Sequence, residues 1–179
     1  APMVGTALIW KYGIVGTRGG LLNEIIKYLG GTPKNWGLTT WQMFLIVIVF
    51  TLWADIGYNV VLFTAGLESV PKEFDEAAAI DGAGPVRRFI SIRLPLIGRT
   101  FAFVAIMTMA NYFQMFAQFK VFVPDGGQKD SAMVLTNYIY RISFTQFDMS
   151  YASAVATALF LMIFVVAMIQ NRMMRADWS

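Results

Sequence analysis

The sequence contains neither cysteine nor histidine. Disulfides, thiolate or imidazole metal sites, and Ser–His or Cys–His nucleophile pairs are therefore excluded from its chemistry. Carboxylates, amides, hydroxyls and aromatic rings remain. One set of these is embedded in apolar runs. Thr51, Asp55, Tyr58 and Asn59 recur at i, i+4, i+7 and i+8, which places them on one face of a helix. Thr108, Asn111, Tyr112 and Gln118 recur at i, i+3, i+4 and i+10, again close to one face. Two such stripes on neighbouring helices would form a polar cavity inside an apolar medium. Aromatic rings, a carboxylate and amides in such a cavity would suit a polyhydroxylated solute such as a carbohydrate. An embedded carboxylate is costly unless it lines a cavity or finds partners, so Asp55 is read as functional, unless it lies near a helix end and is simply solvated. Thr51 and Thr108 are read as helix–helix hydrogen-bonding groups. Tyr58, Asn59, Asn111 and Tyr112 admit both readings. Ser150, Ser153 and Thr157 are read as packing residues.

The elements that must position these residues are helices in a membrane. Of 179 residues, 57% are hydrophobic and 14% charged, where globular domains carry roughly a quarter charged. The mean hydropathy is +0.57. That leaves too little polar surface for a water-soluble globule, and an all-α polytopic membrane protein is the expected class. The expected layout is a single transmembrane domain. Residues 1–12 are the end of a helix, and 13–38 a glycine-rich loop holding a short helix over 21–29. Residues 39–66 form a span, and 67–94 a polar loop. Residues 95–119 form a second span, with Pro95 in its first turn, where a missing N–H costs least. Residues 120–148 are a loop segment with a short helix over 131–144 capped by Ser131. Residues 149–172 form a third span, and 173–179 a tail. Further helices are expected upstream. Trp10, Trp36 and Trp41 are expected at the membrane interface. Basic residues divide evenly between the two sides, so charge alone leaves the orientation open. Lys72, Arg87, Arg88, Arg93, Arg99, Arg172 and Arg175 fall on one side; Lys11, Arg18, Lys27, Lys34, Lys120, Lys129 and Arg141 fall on the other. They form no stripe with aromatics, which argues against nucleic-acid binding.

The second pattern lies in the polar loop, EFDEAAAIDGAGPVRRFISIRLP, from Glu73 to Pro95. Ser69 can cap a helix, Pro71 suits its first turn, and Glu73, Asp75 and Glu76 suit the positive end of its dipole. Asp81–Gly82 ends that helix, with Gly82 free to take positive φ. Gly84–Pro85 opens a second. The loop thus reads as two short helices at a glycine elbow, with a smooth alanine face and Glu76 beside it. That shape suits docking into a groove on another protein, and it also suits an interfacial linker.

Glu76-Ala77-Ala78, Gly82, Ile92 and Leu94-Pro95 fill every fixed position of the pattern EAA-x3-G-x9-I-x-LP. On these residues the chain resembles the permease subunits of binding-protein-dependent ABC importers. The stretches WADIGYNVVLFTAGLESVPKEFDEAAAIDGA, NYIYRISF and FDMSYASAVATALFL resemble the carbohydrate branch, of the maltose and glycerol-phosphate importer type. No WN-type motif follows in the second span, so the likeness is to the first of two paralogous permeases. The resemblance implies the type I importer permease fold, with this chain supplying the end of the third core helix and then the fourth to sixth. It implies a multi-pass protein of a bacterial or archaeal cytoplasmic (inner) membrane. The polar loop would then be a cytoplasmic coupling helix on an ATPase subunit, and residues 13–38 and 120–148 would face outward. Within the loop, Glu76 would meet the ATPase through a polar or ionic pair, Ala77 and Ala78 would permit close approach, and Gly82 would set the elbow. The implied partners are a second permease, two ATPase subunits, an extracytoplasmic solute-binding protein, a carbohydrate substrate and the lipid bilayer. No cofactor is expected on this chain, because ATP and Mg would belong to the ATPase subunits. The sequence has no GxxxxGK[ST] phosphate loop, in keeping with a transport subunit rather than an enzyme. Glycerol phosphate or a polyamine is the alternative solute. An ion channel would need a filter or pore ring, and neither is legible.

Overall fold

The structure, a computed structural model, describes residues 2–17, 19–37 and 39–176. Arg18 and the last three residues of the expected tail, 177–179, lie outside the described residues, as does the Arg175 side chain. All regular elements among the described residues are helical. They include α1 (Met3–Ile9) continuing into a π-helical turn (Trp10–Ile14), α2 (Leu21–Tyr28), α3 (Thr40–Glu68), α4 (Lys72–Ile80) and α5 (Pro85–Arg88). A second π-helical turn (Phe89–Arg93) leads to α6 (Leu94–Leu96), α7 (Gly98–Phe113), α8 (Ala117–Phe122), α9 (Leu135–Phe144) and α10 (Met149–Ala176). Among the described residues three segments are long and apolar enough to cross a bilayer: Thr40–Glu68, Gly98–Phe122 and Met149–Met174. At 29 residues α3 is about 43 Å long, enough to cross a core of roughly 30 Å with some tilt.

Local chemistry explains the helix ends. α3 opens with a capping box: Gln42 N–H donates to Thr39 Oγ1 (3.4 Å), and Thr39 N–H donates to Gln42 Oε1 (3.3 Å). α10 opens on Asp148, whose Oδ1 accepts the Tyr151 N–H at 2.9 Å. α4 closes in a Schellman motif. Gly82 N–H bonds Ala79 O and Ala83 N–H bonds Ala78 O, with Gly82 at φ +78 as the sequence predicts. α2 closes in the same way through Gly30, at φ +80, and Gly31.

Three sequence expectations are corrected. Pro95 does not open the second span. It lies inside a helix that begins at Pro85, and the span starts at Gly98. A proline inside a helix withholds one N–H, and here the preceding turn widens into the π form. That span is also interrupted between Phe113 and Ala117. Thr136 Oγ1 donates to the Met115 carbonyl freed at the interruption, and Lys11 Nζ donates to Val121 O (2.5 Å) near the end of α8. Finally, neither serine caps where expected. Ser131 Oγ bonds Thr40 Oγ1 (2.6 Å) and α9 begins later, at Leu135; Ser69 Oγ donates back to Gly66 O (2.7 Å), closing α3, and Pro71 takes the N-cap of α4.

Within the chain the helices gather into two compact units, Ala1–Ala54 with Gln114–Leu161, and Asp55–Phe113 with Met162–Ser179. In the first, Val47, Phe119, Val123 and Ala132 form the core, with Met43, Phe44, Met115 and Phe122 against it. Phe50 is fully buried and stacks with Trp10 (5.6 Å) and Phe122 (5.1 Å). Trp10 is therefore a packing residue rather than an interfacial anchor. Trp36 is tied by Nε1 to Asn23 Oδ1 (3.1 Å), while Trp41 is exposed as an interfacial residue would be. The second unit holds Asp55, Tyr58, Asn59, Thr108, Asn111 and Tyr112 of the polar stripes, together with the polar loop.

Candidate functional site

Within the second unit α3 and α7 come close because Gly66 leaves room. A methyl added there would lie 2.8 Å from Thr100 Cγ2. Phe63 and Phe101 stack just above, at 6.2 Å. The approach brings the two polar stripes together. Asp55, Tyr58, Asn59 and Leu62 on α3 face Val104, Met107, Thr108 and Asn111 on α7 across a cleft of about 50 Å³. Asn59 and Thr108 also line a neighbouring cleft of about 650 Å³, with Phe63, Phe101, Val104 and Tyr112. The Tyr112 hydroxyl lies near the Asp55 carboxylate, which gives that embedded acid a polar neighbour on the opposite helix.

Five of the six residues expected to line a path, Asp55, Tyr58, Asn59, Asn111 and Tyr112, thus gather in one place. Gln118 does not. The interruption after Phe113 breaks the helical phase on which its placement rested, and Gln118 is buried in the first unit on α8, lining neither cleft. Thr51 also belongs to the first unit. Its buried Oγ1 makes no hydrogen bond among the described residues, contrary to the helix–helix bonding expected of it. Ser153 and Thr157 bond back to carbonyls one turn earlier in α10, which suits a packing role. Phe63, Phe101 and Met109 were not legible as lining residues. An apolar residue beside a cleft carries the same sequence signal as one facing lipid.

The loop from Glu68 to Leu96 is the second feature. Glu76 and Ala77 are exposed on α4, next to Ile80, which is 87% exposed. Ala78 is turned inward and buried, so the outer face consists of Glu73, Glu76, Ala77 and Ile80 rather than of alanines alone. On the second arm Ile92 is half-buried and Leu94 exposed. Behind α4, Asp75 accepts two hydrogen bonds from Arg93, through Nε (3.0 Å) and Nη2, and Arg88 Nη1 stands 3.7 Å away. The Arg93 hydrogen bond and charge hold the Asp75 carboxyl below the usual carboxylate range. This ion-pair group joins residues 18 apart and has no periodic signature in the sequence.

Three membrane-length helical segments among the described residues, with a polar two-helix elbow between the first two and a polar cleft lined by both, define a polytopic helical membrane protein. Its family is that of the binding-protein-dependent transport system inner membrane components, to which the chain belongs by a match over residues 2–176. The EAA pattern is a feature of that family. The arabinooligosaccharides transport system permease protein AraP of Halalkalibacterium halodurans is 32% identical over 83% of this chain and 47% of its own length. The sn-glycerol-3-phosphate transport system permease protein UgpA of Escherichia coli is 33% identical over 96% of this chain and 57% of its own. The chain thus spans about half the length of the curated relatives it matches. The fold is shared with a chain of a bacterial alginate ABC transporter, solved in complex with an alginate pentasaccharide-bound periplasmic protein. There the TM-score is 0.85 at 20% identity, over 99% of this chain and 61% of that one. Both the all-α fold expected from hydropathy and the importer-permease architecture implied by the resemblance are borne out.

Proposed function

We propose that this chain is a permease subunit of an ATP-driven carbohydrate importer of the bacterial or archaeal inner membrane. It would form the translocation path with a second permease and couple to two ATPase subunits through the loop at Glu76. The observation that carries this reading is the folding of the complete EAA pattern into an exposed elbow within the same compact unit as the polar cleft. A displacement imposed on α4 thus has a short route into the helices whose side chains line that cleft. ATP and Mg would be handled by the ATPase subunits. This chain's part is mechanical: its outer α4 face makes contacts that differ between two transporter states, and only such a difference can bias the equilibrium.

A sugar fits the cleft's chemistry. Asp55, Asn59 and Asn111 offer acceptors and donors for hydroxyls, and Tyr58 and Tyr112 offer rings. Names of relatives support a solute of this kind, since AraP is a permease for arabinooligosaccharides. UgpA, a permease for sn-glycerol-3-phosphate, motivates the second reading. A phosphate is poorly matched to Asp55, and neither cleft has a basic lining residue. A polyamine would be drawn to Asp55. Uptake of a solute panel by the assembled transporter, with and without Asp55→Asn, separates these readings. Loss of sugar uptake is expected, and an unchanged profile removes Asp55 from the path. For the coupling loop, Glu76→Lys is expected to abolish uptake while the permease stays in the membrane; normal uptake refutes the assignment.

A further inference from the structure

The elbow at Gly82 joins α4 to the second arm, and the join itself is unbraced. A methyl added at Gly82 or at Gly84 would meet nothing within 4 Å, so no side-chain packing holds the angle there. A lever hinged on two open glycines would absorb a push at Glu76 by bending. The bracing is found on the inner side. Asp75 immediately precedes Glu76 but points the other way, its side chain 19% exposed. It is gripped in a two-pronged contact by Arg93, with Arg88 as a second cation at 3.7 Å.

The geometry of the second arm is what allows this. Arg88 and Arg93 are five residues apart, a spacing that diverges around an α-helix. The π-helical turn Phe89–Arg93 accommodates one extra residue per turn and brings positions i and i+5 to the same side. Both guanidinium groups consequently face one carboxylate. Two residues beyond Arg93 is Pro95, the last fixed position of the motif, and then Gly98, where the next span begins.

We propose that Asp75, Arg93 and Arg88, set in phase by the π-helical turn, form a latch that locks the two arms of the elbow into one rigid lever, so that force at the Glu76 face reaches α7 instead of bending the glycines. These are positioning residues, and their role rests on the coupling function proposed for the loop. Breaking the latch loosens the transmission but leaves the outer face of α4 intact.

The test is made in the complete transporter with all its subunits, reading solute moved per ATP hydrolysed, together with retention of the ATPase subunits on purification. Asp75→Asn and Arg93→Gln are each expected to lower the coupling ratio by between about threefold and tenfold, in keeping with the worth of a bidentate but half-exposed pair. The ATPase subunits are expected to stay bound. The exchange Asp75→Arg with Arg93→Asp is expected to restore most of the ratio, which a merely structural role for either residue alone would not. Wild-type coupling in both single variants overturns the latch, as does failure of the exchange to rescue. Glu76→Lys in parallel separates the two levels: if it transports normally, the coupling assignment itself falls. If it is inactive while Asp75→Asn and Arg93→Gln both couple normally, only the latch does.

Discussion

Asn23→Asp replaces an amide by an isosteric carboxylate at a position with no solvent exposure. Asn23 uses its whole amide. Nδ2 donates to Gly16 O (3.1 Å) and Lys34 O (2.9 Å), while Oδ1 accepts from Lys34 N–H (3.0 Å) and Trp36 Nε1–H (3.1 Å). These four bonds tie both ends of the loop from residue 16 to residue 36 to the first turn of α2. The substitution keeps the two accepted bonds and removes both donors, leaving two carbonyls facing a carboxylate oxygen. Gly16 O keeps the Gly20 N–H (3.2 Å), so the Lys34 carbonyl is the group left unsatisfied, and the loss is about 1–3 kcal/mol before the cost of the buried charge. The loop should open locally rather than unfold the membrane helices, since few contacts tie it elsewhere. Trypsin digestion in membrane vesicles reads this through cleavage at Lys27 and Lys34, and Trp36 fluorescence reads it independently. Faster cleavage and a red-shifted emission are expected at neutral pH. Asn23→Ala should act in the same direction, removing all four bonds. Parental cleavage rates and emission in Asn23→Asp would refute the reasoning.

Gly66→Val should separate α3 from α7 and abolish uptake, because its Cβ would meet the Thr100 side chain at 2.8 Å. Gly57→Val on the same helix, where nothing lies within 4 Å, should be tolerated; transport assays on both variants make the comparison. Tyr112→Phe and Asp55→Asn should be non-additive in uptake, because the two polar groups are neighbours, and a double-mutant cycle measures the coupling. The Asp75–Arg93 pair should persist to pH 5. The folded Asp75 carboxyl titrates below its unfolded value of about 3.9, so its stabilising contribution is complete above that pH and is lost only as pH falls through the folded value. A coupling ratio that changes between pH 8 and pH 5 in the parent protein but not in Asp75→Asn would contradict this.

Much of this architecture was legible. Apolar runs reported α3 and α10 within a few residues, because a bilayer demands length and hydropathy and little else. The Asp81–Gly82 pair reported the elbow, because a Schellman closure needs positive φ and glycine supplies it without strain. What was hidden depends on contacts distant in sequence. Ser69 and Ser131 are good caps in isolation, but each found a tertiary or backward partner instead. The break after Phe113 has neither glycine nor proline to mark it. It is sustained by Thr136, on another helix, bonding the carbonyl it frees, and it displaced Gln118 from the face to which helical arithmetic assigned it. The π-helical turn before Pro95 was equally silent, and with it the convergence of Arg88 and Arg93 on Asp75. Ala78 pointed inward because α4 packs on its own second arm, a fact that the motif's spacing does not encode.

The central claim is that the outer face of α4 meets an ATPase subunit, and cross-linking tests it most directly. The sequence has no cysteine, so Ile80→Cys places a single thiol on that face, next to Glu76 but without altering it. Leu29→Cys, also well exposed at the end of α2, is the control. In the assembled transporter, a thiol-to-amine cross-linker should join the Ile80→Cys chain to the ATPase subunit, with a yield that changes on adding ATP, and should not join the Leu29→Cys chain to it. No ATPase adduct from Ile80→Cys in an assembled, transporting complex, or an adduct from Leu29→Cys instead, would contradict the account.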